Sequence, residues 1–270
     1  MINFLHTFHP QPVIFQIGIF PIHWYGFLMV IGGLLGLFVV LKLARRYGVD
    51  KNSIYDLLVY FVVGGVVGAR VYYVVYAWQL YQNNWLDVFK IWQGGLAVHG
   101  VMIGGMAGVL IYYFFKKINF WLFADLAATG LAAAQIVGRV GNYFNQEIFG
   151  KPTNLPWGIL IDAAARPTEF SGANYFHPTF LYESLGNVII LCVLIGLHFL
   201  KIRNKTLKDG NIFFLYIILY SILRFFLEFL RTDYSPLVFG VRWAQLFSAL
   251  LIIAAAALLI ARNRKRFLLN

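Results

Sequence analysis

Residues 22–44 read IHWYGFLMVIGGLLGLFVVLKLA, and no Lys, Arg, Asp or Glu interrupts them before Lys42. A helix that crosses the hydrocarbon core of a bilayer needs about 20 predominantly apolar residues, so this run has the length and composition of one membrane span. In lipid a lone apolar segment must satisfy its own backbone N–H and C=O groups, which makes it a helix. Six further runs of the same kind follow, at about 54–76, 95–115, 119–137, 178–200, 211–230 and 240–261. The whole chain agrees with its parts: over 270 residues 60% are hydrophobic and 12% charged, with a mean hydropathy of +0.72. A soluble domain carries about 25% charged residues; half of that leaves too little polar surface to cover a globule in water. The expectation is an all-α polytopic membrane protein, a single transmembrane domain over 1–270 with seven transmembrane helices.

The formal net charge of +11 would suggest nucleic acid in a soluble protein. Here the basic residues sit in short clusters beside apolar runs, and no RNA- or DNA-binding motif accompanies them, so they read as topology signals and contacts to anionic lipid headgroups. The first 41 residues contain no Lys or Arg; the basic start of a cleavable signal peptide is missing. The first cluster, Lys42, Arg45 and Arg46, follows the first span, which places the N-terminus outside and the C-terminus in the cytoplasm. On that topology 14 of the 22 Lys and Arg lie inside, Lys265 and Arg266 among them, and Arg70 and Arg224 lie within spans. The remaining six, Lys90, Arg139, Lys151, Arg166, Arg231 and Arg242, lie outside. Positive charge is disfavoured on that side, so a force other than topology holds those six. Two outer segments, 77–94 and 138–177, exceed simple turns. The first is rich in Trp and Tyr; the second holds Pro152, Pro156 and Pro167. They are expected to form a small external, periplasmic-side cap, with short strands around Leu155–Ile161.

The single cysteine, Cys192, lies in an apolar run and reads as a small core hydrophobe. No Cys/His metal spacing, HExxH motif, Gly-x-Ser-x-Gly elbow or phosphate-binding Walker loop occurs, which removes several enzyme classes and gives no sign of a metal or cofactor. Glycines recur at helix-contact spacing, Gly32/Gly36, Gly64/Gly68 and Gly100/Gly104/Gly108, where a face without side chains lets a neighbouring helix approach closely.

Four polar constellations stand out against this apolar background. GRVGNYFNQEIFG, residues 138–150, starts where the fourth span ends and packs Arg139, Asn142, Asn145, Gln146 and Glu147 between three glycines, the last being Gly150. Arg139 can fork onto a phosphate or carboxylate, and the two Asn can donate to the same anion. Tyr220, Arg224, Glu228 and Arg231 are spaced four, four and three apart in the sixth span and share one helix face. An arginine at that depth costs about 2.5–3.5 kcal/mol on insertion scales; pairing with Glu228 lowers the cost, and two arginines around one carboxylate leave positive charge for an anionic ligand. GGLAVHG, residues 94–100, brings His99, a base near neutral pH, among glycines that thin the local contacts. HPTFLYE, residues 177–183, opens the fifth span with Thr179 as a helix cap and Glu183 within the helix. Smaller signals are HWYG with Tyr25 and GAR with Arg70.

Together these blocks resemble the prolipoprotein diacylglyceryl transferase family of bacteria. GRVGNYFNQEIFG resembles the family's GRxGNFxNxExxG signature over its whole length, and GGLAVHG, HPTFLYE, HWYG, GAR and the Tyr220–Arg231 pattern match in the family's order, spanning about 20–260. Tyr143 stands where Phe is usual, Phe180 where Gln is frequent and Ala244 where Gly is common. The resemblance implies transfer of diacylglycerol from phosphatidylglycerol to the lipobox cysteine of a prolipoprotein in the bacterial cytoplasmic (inner) membrane. A thioether forms, glycerol phosphate leaves, and neither metal nor cofactor is needed. It implies a catalytic set of His99, Arg139 and Arg224, with His99 as the base. Substrate binding would fall to Arg139, Asn142, Asn145, Glu147, Gly150, Tyr25, Arg70, Tyr220, Glu228, Arg231 and Glu183. Within that set Glu147, Glu228 and Arg231 would hold the arginines in place. The rival reading of the same intramembrane Arg and Glu is an anion or lipid transporter, which would show flux in liposomes and no glycerol phosphate release.

Overall fold

The computed structural model describes residues 6–18, 20–205 and 207–267. The side chains of Lys265 and Arg266, counted above among the inner charges, lie outside the described residues, as does the segment 1–5. Among the described residues there are seven long helices: α1 (Trp24–Arg46), α2 (Lys51–Tyr76), α3 (Val98–Lys116), α4 (Phe120–Phe144), α5 (Thr179–Asn204), α6 (Asn211–Leu227) and α7 (Trp243–Phe267). Six of them are long and apolar enough to cross a membrane; α6, at 17 residues, is the shorter apolar helix. The chain is thus mostly helical and multi-pass. It folds as two compact units, residues 44–123 and residues 1–43 with 124–270.

In the 44–123 unit α2 and α3 run antiparallel and almost touch. A Cβ placed on Gly64 would meet the carbonyl of Gly104, one on Gly100 the carbonyl of Gly68, and one on Gly108 the carbonyl of Tyr60. The two numbers in each pair have a constant sum, as an antiparallel register requires. Between these helices the chain makes three 3₁₀ turns, Trp78–Leu80, Trp85–Phe89 and Ile91–Gln93. Arg70, 7% exposed, organises them. Its Nε donates to the Val88 carbonyl at 2.7 Å, Nη2 to Asp87 at 2.6 Å, and Nη1 to Gly94 and Gly95 at 2.8 and 3.0 Å. Gly94 and Gly95 have φ of 90° and 75°, left-handed values that favour glycine.

In the other unit α1 lies against α4 by the same device. A Cβ on Gly32 would come within 2.7 Å of the Ala134 carbonyl, and one on Gly36 within 2.6 Å of that of Gly130. Ala128, Ala132, Ile190, Leu194, Ile212 and Tyr216 form the apolar core among α4, α5 and α6. Below it, a buried ionic knot ties the helices: Lys201 Nζ is 2.7 Å from both Asp125 and Asp209. Asp125 also accepts the Gly210 and Phe213 amides at 2.9 and 2.8 Å, so it satisfies orphan donors at the start of α6.

Three small antiparallel hairpins decorate this unit: β1 (Val13–Ile17) with β2 (Phe20–His23), β3 (Ile159–Leu160) with β4 (Tyr175–Phe176), and β5 (Leu237–Val238) with β6 (Val241–Arg242). The strand expected around Leu155–Ile161 is β3. Phe149, Ile159, Ile161, Phe176 and Phe180 bury a second apolar core with Tyr143, so the 145–178 segment has its own interior.

Four local expectations are corrected. The fourth span does not end at residue 137: α4 continues to Phe144, because nothing in GRVGNYF breaks a helix whose Gly138 and Gly141 face Met29 and Tyr25 of α1. The sixth helix ends at Leu227, leaving Glu228 at its C-cap and Arg231 beyond it. Thr179 does not cap α5, since its hydroxyl donates to the Ile148 carbonyl at 2.6 Å. Cys192 is exposed on α5 and is not a core residue: an apolar run in a membrane helix has a lipid face as well as a protein face.

Candidate active site

The last two turns of α4, the first turns of α5 and the end of α6 meet at one buried carboxylate. Glu183, 1% exposed, takes Arg139 Nη2 at 2.8 Å on Oε1 and Arg224 Nη1 at 3.4 Å on Oε2. Tyr220 completes the corner: its hydroxyl donates to Glu183 Oε1 at 2.7 Å and accepts from Arg139 Nη2 at 3.2 Å. Arg224 Nη2 reaches Glu228 Oε2, also at 3.4 Å. Glu228 is 2% exposed; Arg139 and Arg224 keep 23% and 21% of their side-chain surface open. The acids are sealed in, while the two arginine side chains are partly exposed.

The network extends past α6. Arg231 grips Asp233 in a fork of 2.7 and 3.1 Å and stands 3.9 Å from Glu228. Arg242, on β6, puts Nε 2.8 Å from Glu228 Oε1. Burial pushes the Asp233 carboxyl up, but hydrogen bonds and charge from Arg231 outweigh this and hold it below the usual carboxylate range. Four arginines against three carboxylates leave one formal positive charge, in surroundings where charge is costly to bury.

The rest of the 138–150 block sits around this knot. Asn142, 4% exposed, donates to Glu147 Oε1 at 2.8 Å, and Asn145 to the same oxygen at 3.3 Å. The carboxylate that holds Arg139 is therefore Glu183, not Glu147, whose task is to orient the two Asn. After Phe144 the chain turns through Gln146 (φ 50°) and Ile148 (φ 57°); a β-branched residue in the left-handed region stores strain of order 1–3 kcal/mol. Gly150 threads between α5 and the end of α6. Its amide donates to the His177 carbonyl at 2.8 Å, and it bridges Arg231. An added Cβ would lie within 2.9 Å of both His177 and Leu230. His177 Nδ1 is 3.1 Å from the Tyr182 hydroxyl, and burial lowers its pKa, which favours neutral imidazole.

Tyr25 touches Gly141 through its backbone and ring. Arg70 and His99 belong to the 44–123 unit. There the Arg70 guanidinium is committed to backbone carbonyls, while His99 is exposed and stacks on Tyr72 at 5.9 Å between ring centres. The spacing rule brought together Tyr220, Arg224 and Glu228. It missed Asp233, which pairs with Arg231 two residues before it, and Arg242, whose acid Glu228 lies across a chain reversal. Arg242 had one visible signal: it is among the six positive residues that the sequence reading assigns to the outer side.

Helices of this length and hydropathy define a multi-pass membrane protein, and its buried acids are gathered by arginines in excess over them. The family model described as prolipoprotein diacylglyceryl transferase matches residues 12–261, and the chain belongs to that family. It is 41% identical over 249 residues to the phosphatidylglycerol–prolipoprotein diacylglyceryl transferase of Synechocystis sp., covering 92% of this chain and 88% of that protein. It is 42% identical over 246 residues to the protein of the same name from Trichormus variabilis, covering 91% and 86%.

Proposed function

We propose that the chain transfers the diacylglyceryl group of phosphatidylglycerol to the lipobox cysteine of a prolipoprotein. The observation that carries the reading is the Arg139–Glu183–Arg224 arrangement, with two partly exposed arginine side chains held by a buried acid. In the reaction the cysteine sulfur bonds to the terminal carbon of the diacylglyceryl group. That carbon's bond to the phosphate oxygen breaks, and the electron pair leaves with glycerol phosphate. The thiol proton passes to a base. Negative charge grows on the departing phosphate, where preorganised donors act most strongly. Arg139, Arg224 and Asn142 are the donors, and Tyr220 with Glu183 fixes the orientation of Arg139. His99 is the base on the strength of the family resemblance, since a thiol with an ordinary pKa near 8.5 is mostly protonated at neutral pH.

The membrane assignment follows the same reading. The protein resides in the bacterial cytoplasmic membrane with its N-terminus outside. α6, about 25 Å long at 1.5 Å per residue, is the sixth of seven spans, and segments 77–94 and 145–177 each cap the outer side of their own unit. Mass spectrometry of a lipobox peptide incubated with the protein and phosphatidylglycerol tests the function. A diacylglyceryl mass shift with glycerol phosphate release is expected, lost in Arg139→Ala and in His99→Ala. Flux of an anion without such a product would select a transporter instead, and near-normal turnover in both variants would sink the residue assignment.

A further inference from the structure

We infer that Arg242 is a positioning residue for this transfer: by occupying one oxygen of Glu228 it keeps that carboxylate from closing on Arg224, and so leaves Arg224 available to the substrate phosphate. The inference rests on the reading above and adds a residue that the family signatures do not contain.

Arg242 is placed by a tight hairpin. Phe239 and Gly240, the two residues between β5 and β6, have φ of 53° and 77°, the pair of left-handed values that a type I′ turn requires. Each nitrogen of the guanidinium has a partner in this protein. Nε donates to Glu228 Oε1 at 2.8 Å, Nη1 to the Arg231 carbonyl at 3.1 Å and Nη2 to the Asp233 carbonyl. Through these three bonds Arg242 acts on Glu228 and on the segment after α6.

The distances around Glu228 show the effect. A charge-assisted N–H···O bond is strong at about 2.7–2.9 Å. Glu228 makes such a bond to Arg242, while Arg224 is at 3.4 Å and Arg231 at 3.9 Å. Arg231 has its own acid in Asp233. Among the described residues Arg224 has two contacts to carboxylates, both at 3.4 Å, and keeps donor capacity to spare. Glu228 and Arg224 are four residues apart at the end of one helix, within reach of a two-bond fork. Without Arg242, Glu228 Oε1 loses its cation in a place where an unpaired charge is costly. Closing both oxygens onto Arg224 is the nearest remedy. It would neutralise Arg224 and occupy the edge that a phosphate needs.

The test uses the full-length protein in detergent, with fluorescent-acyl phosphatidylglycerol for binding and a lipobox peptide for turnover. Arg242→Gln is expected to weaken phosphatidylglycerol binding about tenfold and to lower kcat as well, because Arg224 also serves the departing phosphate. Arg242→Lys, which returns a cation to Glu228, is expected to recover most of the affinity. In a Glu228→Gln background, where no carboxylate remains to close, adding Arg242→Gln is expected to change affinity less than twofold. A merely structural role predicts the opposite: a penalty independent of residue 228 that follows the loss of thermal stability. Unchanged affinity in Arg242→Gln overturns the inference, as does a full tenfold loss that persists in the Glu228→Gln background. If Arg242→Gln does not fold, the Lys variant and the double variant decide by the same criteria. A wild-type protein that releases no glycerol phosphate overturns the transferase reading itself, whereas wild-type turnover with an unaffected Arg242→Gln overturns only the role of Arg242.

Discussion

Replacing Glu183 with Gln changes one charge and almost no volume, and the structure says what that charge supports. Glu183 is 1% exposed and accepts from Arg139 at 2.8 Å, from Tyr220 at 2.7 Å and from Arg224 at 3.4 Å. A glutamine has one acceptor oxygen and one donor nitrogen, so an N–H₂ must face an arginine whichever way the amide is turned. With the oxygen toward Arg139, that bond keeps the guanidinium's charge but loses the carboxylate's, a loss of about 1 kcal/mol within the charge-assisted range of about 1.5–3 kcal/mol. Arg224 loses its ion pair and meets a donor. Breaking a buried pair costs about 3–5 kcal/mol; Arg224 is 21% exposed, and solvent reduces the figure to about 2 kcal/mol.

A total near 3 kcal/mol is divided between stability and the placement of the arginines in the transition state. If most of it falls on placement, kcat/KM drops about a hundredfold, at 1.36 kcal/mol per factor of ten. The assay is initial-rate release of glycerol phosphate from phosphatidylglycerol with a lipobox peptide, paired with thermal unfolding in the same detergent. A Glu183→Gln protein with kcat/KM within twofold of wild type and an unchanged melting temperature would refute the claim that this carboxylate sets the two arginines.

Three further outcomes are expected. Gly104→Val puts a branched side chain where a bare Cβ already meets the Gly64 carbonyl and comes within 2.7 Å of Gly68; overpacking of this kind costs about 1–3 kcal/mol, read as earlier unfolding in an SDS titration. Arg70→Gln removes the donors that gather the carbonyls of Asp87, Val88, Gly94 and Gly95; amide hydrogen exchange should rise across 78–95 and remain unchanged across 145–178. Because the folded-state pKa of Asp233 is depressed, its contribution to stability is present above the unfolded value near 3.9 and is lost as pH falls through the lower folded value; Asp233→Asn should flatten that acid limb of the melting-temperature profile.

Much of the helical layout was legible because lipid imposes a simple rule. A run of about 20 apolar residues must close its own hydrogen bonds, and each of the seven runs does contain a helix. The glycine pairs were legible for a related reason: Gly64, Gly68, Gly100 and Gly104 have no side chain to offer, so close backbone approach is their main use. What failed were boundaries and partners. Arg139 and Asn142 are polar and still helical, because α4 is held to Phe144 by contacts with α1 that hydropathy does not register. Glu183 was named in its own motif, but nothing in a one-dimensional pattern shows that it, and not the nearer Glu147, takes Arg139. Periodicity places residues on one helix face; it does not say which neighbouring helix brings the opposite charge. Arg242 and Asp233 follow the end of α6, where no period applies at all.

Five of the six positive residues that the sequence reading assigns to the outer side have side-chain partners in the structure. Lys90 is 2.6 Å from Asp87, and Arg166 donates to the Ile161 carbonyl at 2.8 Å, so these two serve local turns. Arg139, Arg231 and Arg242 join Arg224 in a single network instead. Such a network faces opposing demands. Each arginine needs an acid to offset the cost of its place in the fold, and each acid reduces the charge left for an anionic substrate. The structure divides the task. Arg139 is fixed by a 2.8 Å ion pair and by Tyr220, while Arg224 is shared between two acids at 3.4 Å each. On the proposed transfer, a fixed donor sets where the phosphate sits, and a loosely held one keeps donors free for its remaining oxygens, both in the bound lipid and as charge accumulates on the leaving oxygen.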